Sequence, residues 1–182
     1  MSILMPERKF NVDDYMNLPN DERYELIEGD LLVVPRPVPR HQKIVFNIIF
    51  ELGLYIKQNH TGEFYQEVDV IMGNNVVAPD IVFISQDRTN IIGERNVLGA
   101  PDLVIEVLSP STRVNDKKKK SALYCRYGVK EYWLVDPEAS LVEIFYLNDM
   151  GWRWGGVFDS EDVLVSDLLP GFELPVTKIF EV

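Results

Sequence analysis

The chain predicts a single α/β domain, residues 1–182, built on a mixed β-sheet, and three observations carry that expectation. Helical and strand periodicities alternate along the chain with hairpin signals between them. Hydrophobic residues make up 46% and charged residues 26%, an ordinary balance for a globular core. No internal repeat, low-complexity tract or linker interrupts the pattern.

Taken in order, Asn11 caps a short helix through Met16 that ends at Pro19, and residues 24–28 and 31–34 read as strands turning at Gly29-Asp30. The segment Pro35-Arg36-Pro37-Val38-Pro39 is too proline-rich for a helix interior or central strand. From His41, a helical pattern through Ile44, Ile48, Leu52 and Ile56 runs to about Asn59. Strands are expected over residues 64–72, 80–85 and 103–109, separated by Gly73-Asn74-Asn75 and a polar stretch from Gln86 to Gly99. Ser111 or Thr112 is placed to cap a helix that runs to Tyr127 and stops at Gly128. A strand over residues 131–135 ends at Asp136-Pro137, and residues 141–147 and 152–158 form a hairpin around Asn148-Asp149-Met150-Gly151.

Composition excludes several functions. The lone cysteine, Cys125, makes no intrachain disulfide, and with only His41 and His60 available no zinc spacing exists. Apolar runs fall well short of the roughly 20 residues of a membrane span, and Glu7, Arg8 and Lys9 replace the apolar core of a signal peptide, so a cytoplasmic protein without membrane contact is expected. A net charge of −11 argues against loose attraction to nucleic acid. Between Arg113 and Lys130, however, the bases face a single acid, Asp116, and screening over ~8 Å lets that patch act by itself.

Glu106 is the anomaly of the chain, a carboxylate within Leu103-Val104-Ile105-Glu106-Val107-Leu108. Burying a carboxylate costs several kcal/mol unless a cation or strong donors meet it. Alternation places Asp102, Val104, Glu106 and Leu108 on one strand face and Leu103, Ile105 and Val107 on the other. If the strand that begins at Pro79-Asp80 pairs beside it, Asp80 brings a second carboxylate to Glu106, a set suited to a hard cation such as Mg²⁺. At ~100° per residue, Lys120 falls in the apolar arc of Leu123, Tyr124 and Tyr127, while Lys117, Lys118 and Lys119 turn toward solvent or phosphate. Lys120 is therefore the expected cation for Glu106, with Asp116 one turn before it and Tyr124 one turn after.

These residues and their surroundings resemble the Uma-type endonuclease family of the PD-(D/E)XK nuclease superfamily, formerly a domain of unknown function. The resemblance spans nearly the whole chain through Tyr24-Glu25-Leu26-Ile27-Glu28-Gly29, Arg40-His41-Gln42, Ala78-Pro79-Asp80, Gly99 to Thr112, Glu131 to Asp136 and Leu169-Pro170-Gly171-Phe172. It implies a restriction-endonuclease-like mixed sheet flanked by helices, and Mg²⁺-dependent hydrolysis of phosphodiester bonds in DNA, with Mn²⁺ as a substitute. By resemblance, Asp80 and Glu106 are metal ligands, the Val107 carbonyl is a third, and Glu28 and His41 bind metal through water or contact substrate. The superfamily's usual lysine position, two residues after the acid, holds Leu108, and Lys120 is the relocated equivalent that orients water or stabilises the phosphate.

Blander readings stand beside these. Glu106 and Lys120 form a structural buried pair in the first, and Asp102 shapes the start of its strand while Tyr124 packs in the core beside the site. Trp152 and Trp154 share a face for packing or an oligomer contact, and Ser109 and Ser111 lack a His/Asp partnership. The alternative function is a non-catalytic module binding nucleic acid or protein, and a homodimer is the expected assembly.

Overall fold

The computed structural model describes residues 9–19, 22–110 and 112–181. Ser111, one of the two expected helix caps, and most of the charged N-terminal stretch lie outside the described residues.

Asn11 caps α1 (Val12–Met16) through a reciprocal box with Asp14. β1 (Tyr24–Ile27) and β2 (Asp30–Val33) form the expected hairpin, but its turn comes one residue early, at Glu28 (φ 54°) and Gly29 (φ 83°). Two consecutive left-handed residues match the right-handed twist of a two-residue hairpin loop, which overrides the Gly-Asp signal. α2 (Pro39–Asn59) starts with proline in its first turn, where no amide partner is lost. The expected strand over 64–72 is two strands, β3 (Gly62–Gln66) and β4 (Val70–Met72), because Glu67 (φ 50°) turns left-handed and donates its amide to the Pro79 and Asp80 carbonyls. β4 then pairs with β5 (Asn75–Val77).

β6 (Ile81–Ser85), a 3₁₀ segment (Gln86–Ile91), β7 (Val97–Leu98) and β8 (Leu103–Val107) follow. The next helix is widely wound over Asn115–Lys120 before it becomes regular in α3 (Ser121–Tyr127), and Gly128 ends it in the left-handed region. β9 (Glu131–Asp136) and the hairpin β10 (Leu141–Asn148) and β11 (Gly151–Phe158) appear where expected. The sequence reading contained none of the last three elements, β12 (Val163–Val165), β13 (Glu173–Pro175) and α4 (Val176–Phe180).

The larger sheet has the order β11-β10-β9-β8-β6-β3, and the β8–β9 pair is parallel while its other pairs are antiparallel. Leu103, Ile105 and Val107 face a core completed by Ile44, Ile48 and Leu52 of α2, and Val104 and Leu108 face a second core with Leu123 and Tyr124 of α3. Each such side chain, fully buried, contributes roughly 1.5–3 kcal/mol. The smaller sheet, β2-β1-β5-β4-β7, supplies Ile27, Val70 and Val77 to the second core. Among the described residues no helix is long and apolar enough to cross a membrane.

Candidate active site

The site lies where β8 ends and β6 begins. The antiparallel pair Ile81–Ile105 extends by one residue to bring Asp80 alongside Glu106, and the Val107 amide donates to Asp80 Oδ2 at 2.7 Å. His41, in the first turn of α2, reaches the same point from the opposite core. Its Nε2 lies 3.0 Å from the Val107 carbonyl oxygen and 3.2 Å from Asp80 Oδ2. Burial works against the charged imidazole, but the Asp80 carboxylate outweighs it and raises the His41 pKa above the ordinary value.

On the other face, Lys120 is buried as its helical position required, while Lys117, Lys118 and Lys119 are exposed. Lys120 Nζ lies 2.8 Å from Glu25 Oε1, 3.0 Å from Glu106 Oε1 and 3.3 Å from Asp116 Oδ1. Tyr124 donates its hydroxyl to Glu106 Oε1 at 2.6 Å, and Ala78 donates its amide to Glu25 at 3.1 Å. Asp116 Oδ1 is close enough to Lys120 for attraction yet is buried without an aligned hydrogen bond.

One ammonium cannot neutralise this set. Burial pushes the Glu106 carboxyl well above the usual carboxylate range, the Lys120 charge offsets only part of that, and Asp116, Asp80 and Glu25 add to it. Burial likewise works against the Lys120 ammonium, but the surrounding carboxylates outweigh it and hold the lysine charged. The Tyr124 hydroxyl is raised by burial and by Glu106, so it stays a donor.

Of the residues singled out in the sequence, Asp80, Glu106, Val107, Lys120, Tyr124 and His41 meet here. Glu28 does not. Its left-handed backbone at the hairpin turn sends the side chain outward, where it pairs with Arg126 at 2.9 Å. Glu25, which the sequence reading passed over, is the glutamate of that segment that reaches the site. The signal was strand alternation, since Glu25 shares a face with buried Ile27. Asp102, on the Glu106 face but at the other end of β8, accepts from the Ser85 amide, Arg88 and Lys130 at 2.7–2.9 Å. Trp152 stacks on Tyr132, whereas Trp154 is exposed.

Asp80, Glu106, Val107, Asp116 and Lys120 line a cleft of about 380 Å³. Among the described residues, no three acidic, histidine or cysteine side chains are arranged as a ready-made metal cage. A hard cation needs less, because Mg²⁺ takes one or two carboxylates and keeps several waters. The surplus of carboxylates, the Val107 carbonyl that shares His41 Nε2 with Asp80 and the unmatched Asp116 oxygen fit such an ion.

The family model Uma2, described as "Putative restriction endonuclease", matches residues 12–177. The uncharacterised protein sll1609 of Synechocystis is 24% identical over 135 residues, covering 72% of this chain and 76% of that protein. A crystal structure from Anabaena variabilis, described as "a putative nuclease belonging to DUF820", aligns with a TM-score of 0.80 at 22% identity over 94% of this chain and 97% of that chain. This last likeness is one of fold, and it matches the mixed α/β architecture expected from the sequence.

Proposed function

The chain belongs to the Uma2 family, and from that membership we propose that it is a divalent-metal-dependent nuclease that hydrolyses phosphodiester bonds in DNA. The observation that carries this reading is the surplus of acid beside the cleft, where Glu25, Glu106 and Asp116 share a single buried ammonium and the charge of nearby Asp80 adds to that on Glu106. Mg²⁺, or Mn²⁺ in its place, would be held by Asp80, Glu106 and the Val107 carbonyl, and when bound would supply the positive charge that acidifies water and polarises the phosphate.

The protein's own groups have separable tasks. The Val107 amide fixes the Asp80 carboxylate, and His41 engages both that carboxylate and the Val107 carbonyl. Lys120, kept charged by its neighbours, faces the cleft to meet negative charge that grows on the phosphate. Tyr124 orients Glu106 through its hydroxyl. A homodimer belongs to the same proposal, supported by the exposed stripe of Phe46, Phe50 and Leu54 on one side of α2.

The test is cleavage of DNA and RNA by purified protein with Mg²⁺ or Mn²⁺, alongside Asp80→Ala and Lys120→Ala. Wild type should cleave only with the metal, and each variant should lose about 10²–10³-fold or more. If wild type neither binds divalent ions nor cleaves any substrate while both variants keep native circular dichroism, the non-catalytic binding module is the correct reading.

A further inference from the structure

The sequence points to the lysine run as the face that meets phosphate, but the structure commits much of that run elsewhere. Lys117 pairs with Glu143 at 2.7 Å, Lys119 lies 3.9 Å from Asp30, and Lys120 is buried. The arginines differ. Arg88, Arg113, Arg126 and Arg153 each face an acid, and Arg40 donates to the Pro137 carbonyl. Among the described residues, Arg36 and Arg95 are the arginines without an acid or carbonyl partner. Both are exposed.

Both line the same depression. Arg36 lines both the cleft that holds Asp80 and Glu106 and one of two adjoining cavities, Arg95 lines the other with Asp69, Glu22 lines both adjoining cavities, and all three are lined by Arg23, Val34 and Glu67. Arg23 stands at the junction, held by Glu67 at 3.2 Å. The left-handed turn at Glu67 that splits β3 from β4 hydrogen-bonds to the Pro79 and Asp80 carbonyls, so the residue that anchors Arg23 is tied to the strand that carries Asp80. The Arg23 carbonyl accepts from the Val34 amide, so the chain is tied to Arg23 two residues before Arg36.

We infer that one polynucleotide strand runs along this groove, its phosphates on Arg36, Arg23 and Arg95, and that the substrate class is single-stranded nucleic acid. The inference rests on the nuclease reading and names its substrate. Free guanidinium forks are ready to take phosphate oxygens, and Arg23 exchanges its surface pair with Glu67, a weak contact, for a phosphate. A second strand would need cations beyond the groove, and a body with 29 acidic and 18 basic residues opposes it by repulsion.

The experiment measures binding of fluorescein-labelled oligothymidylate, the matching oligouridylate and a duplex by anisotropy, without divalent metal, across a potassium chloride series. Each phosphate released should change the slope of log affinity against log salt by about 0.7 for a single strand. Arg36→Ala and Arg95→Ala should each lower the slope by that amount and Arg36→Glu more, with unchanged thermal melting. Lys118→Ala, which removes an exposed lysine off the groove, should leave it unchanged. Binding of either sugar counts for the groove. Unchanged slopes in both arginine variants, or tighter binding of duplex than of single strands, overturn the inference while metal-dependent cleavage leaves the nuclease reading standing. Wild type that binds no oligonucleotide also overturns it, and the cleavage assay then judges the nuclease reading separately.

Discussion

The two ends of β8 carry buried acids on one strand face, yet their surroundings are opposite. Asp102 is matched by Arg88, Lys130 and the Ser85 amide, and although burial works against its charge these donors hold its pKa below the usual range. Glu106 shares one ammonium with Glu25 and Asp116, has Asp80 nearby, and is driven the other way. A charge in an apolar strand therefore does not by itself mark a reactive site. The ratio of acids to cations around it separates the closed structural end from the end that opens on a cleft and fits another cation.

The comparison breaks most sharply at Lys120. Lys120→Met should destabilise the protein by about 3–5 kcal/mol at neutral pH, because it leaves Glu106, Glu25 and Asp116 buried together without their cation. The deficit should shrink as pH falls and the Glu106 carboxyl, which burial pushes up, takes up a proton. Urea denaturation at neutral and mildly acidic pH reads both effects, and equal losses at the two values would show that packing dominates.

Glu131 offers a third buried acid, with Trp133 and Ser166 donating to it and burial pushing its pKa up to about 7. The folded protein then holds a proton there that the unfolded chain, near 4.5, releases. Stability is full below that lower value, falls by about 3 kcal/mol as pH rises to about 7, and levels off above it. Glu131→Gln should flatten this window, and a retained slope would assign it to other groups.

Magnesium sharpens the contrast between the ends. At a concentration 100-fold above its dissociation constant it should stabilise wild type by about 2.7 kcal/mol and Asp102→Asn by the same increment, but not Asp80→Asn. Thermal melts with and without the ion test this, and an equal shift in Asp80→Asn would remove Asp80 from the ligand set. Asp102→Asn itself should cost about 2 kcal/mol at neutral pH while cleavage by the folded protein is unchanged. Because the Asp102 pKa is depressed, wild type holds that contribution above about pH 4 and loses it as pH falls through the folded value.

Much of this site was legible before folding. Alternation in residues 103–108 set the Glu106 face, helical geometry singled out Lys120 among four consecutive lysines, and strand pairing brought Asp80 across. Glu25 was missed because Glu28 matched the family segment equally well, and only the early left-handed turn turns one inward and the other out. The elements after residue 160 were missed because they are short. β12 and β13 pair with each other, and α4 is held by packing against distant α2.

Local periodicity thus determined which residues share a face, since side-chain direction follows from the backbone repeat alone. It identified the buried carboxylate, its lysine and the alternation of helices and strands. Tertiary structure decided how many acids that lysine must serve, which cations are already committed to other acids, and where the unpaired arginines gather. Those outcomes depend on turns and packing between segments far apart in the chain, and electrostatic balance is a property of the groups that folding brings together.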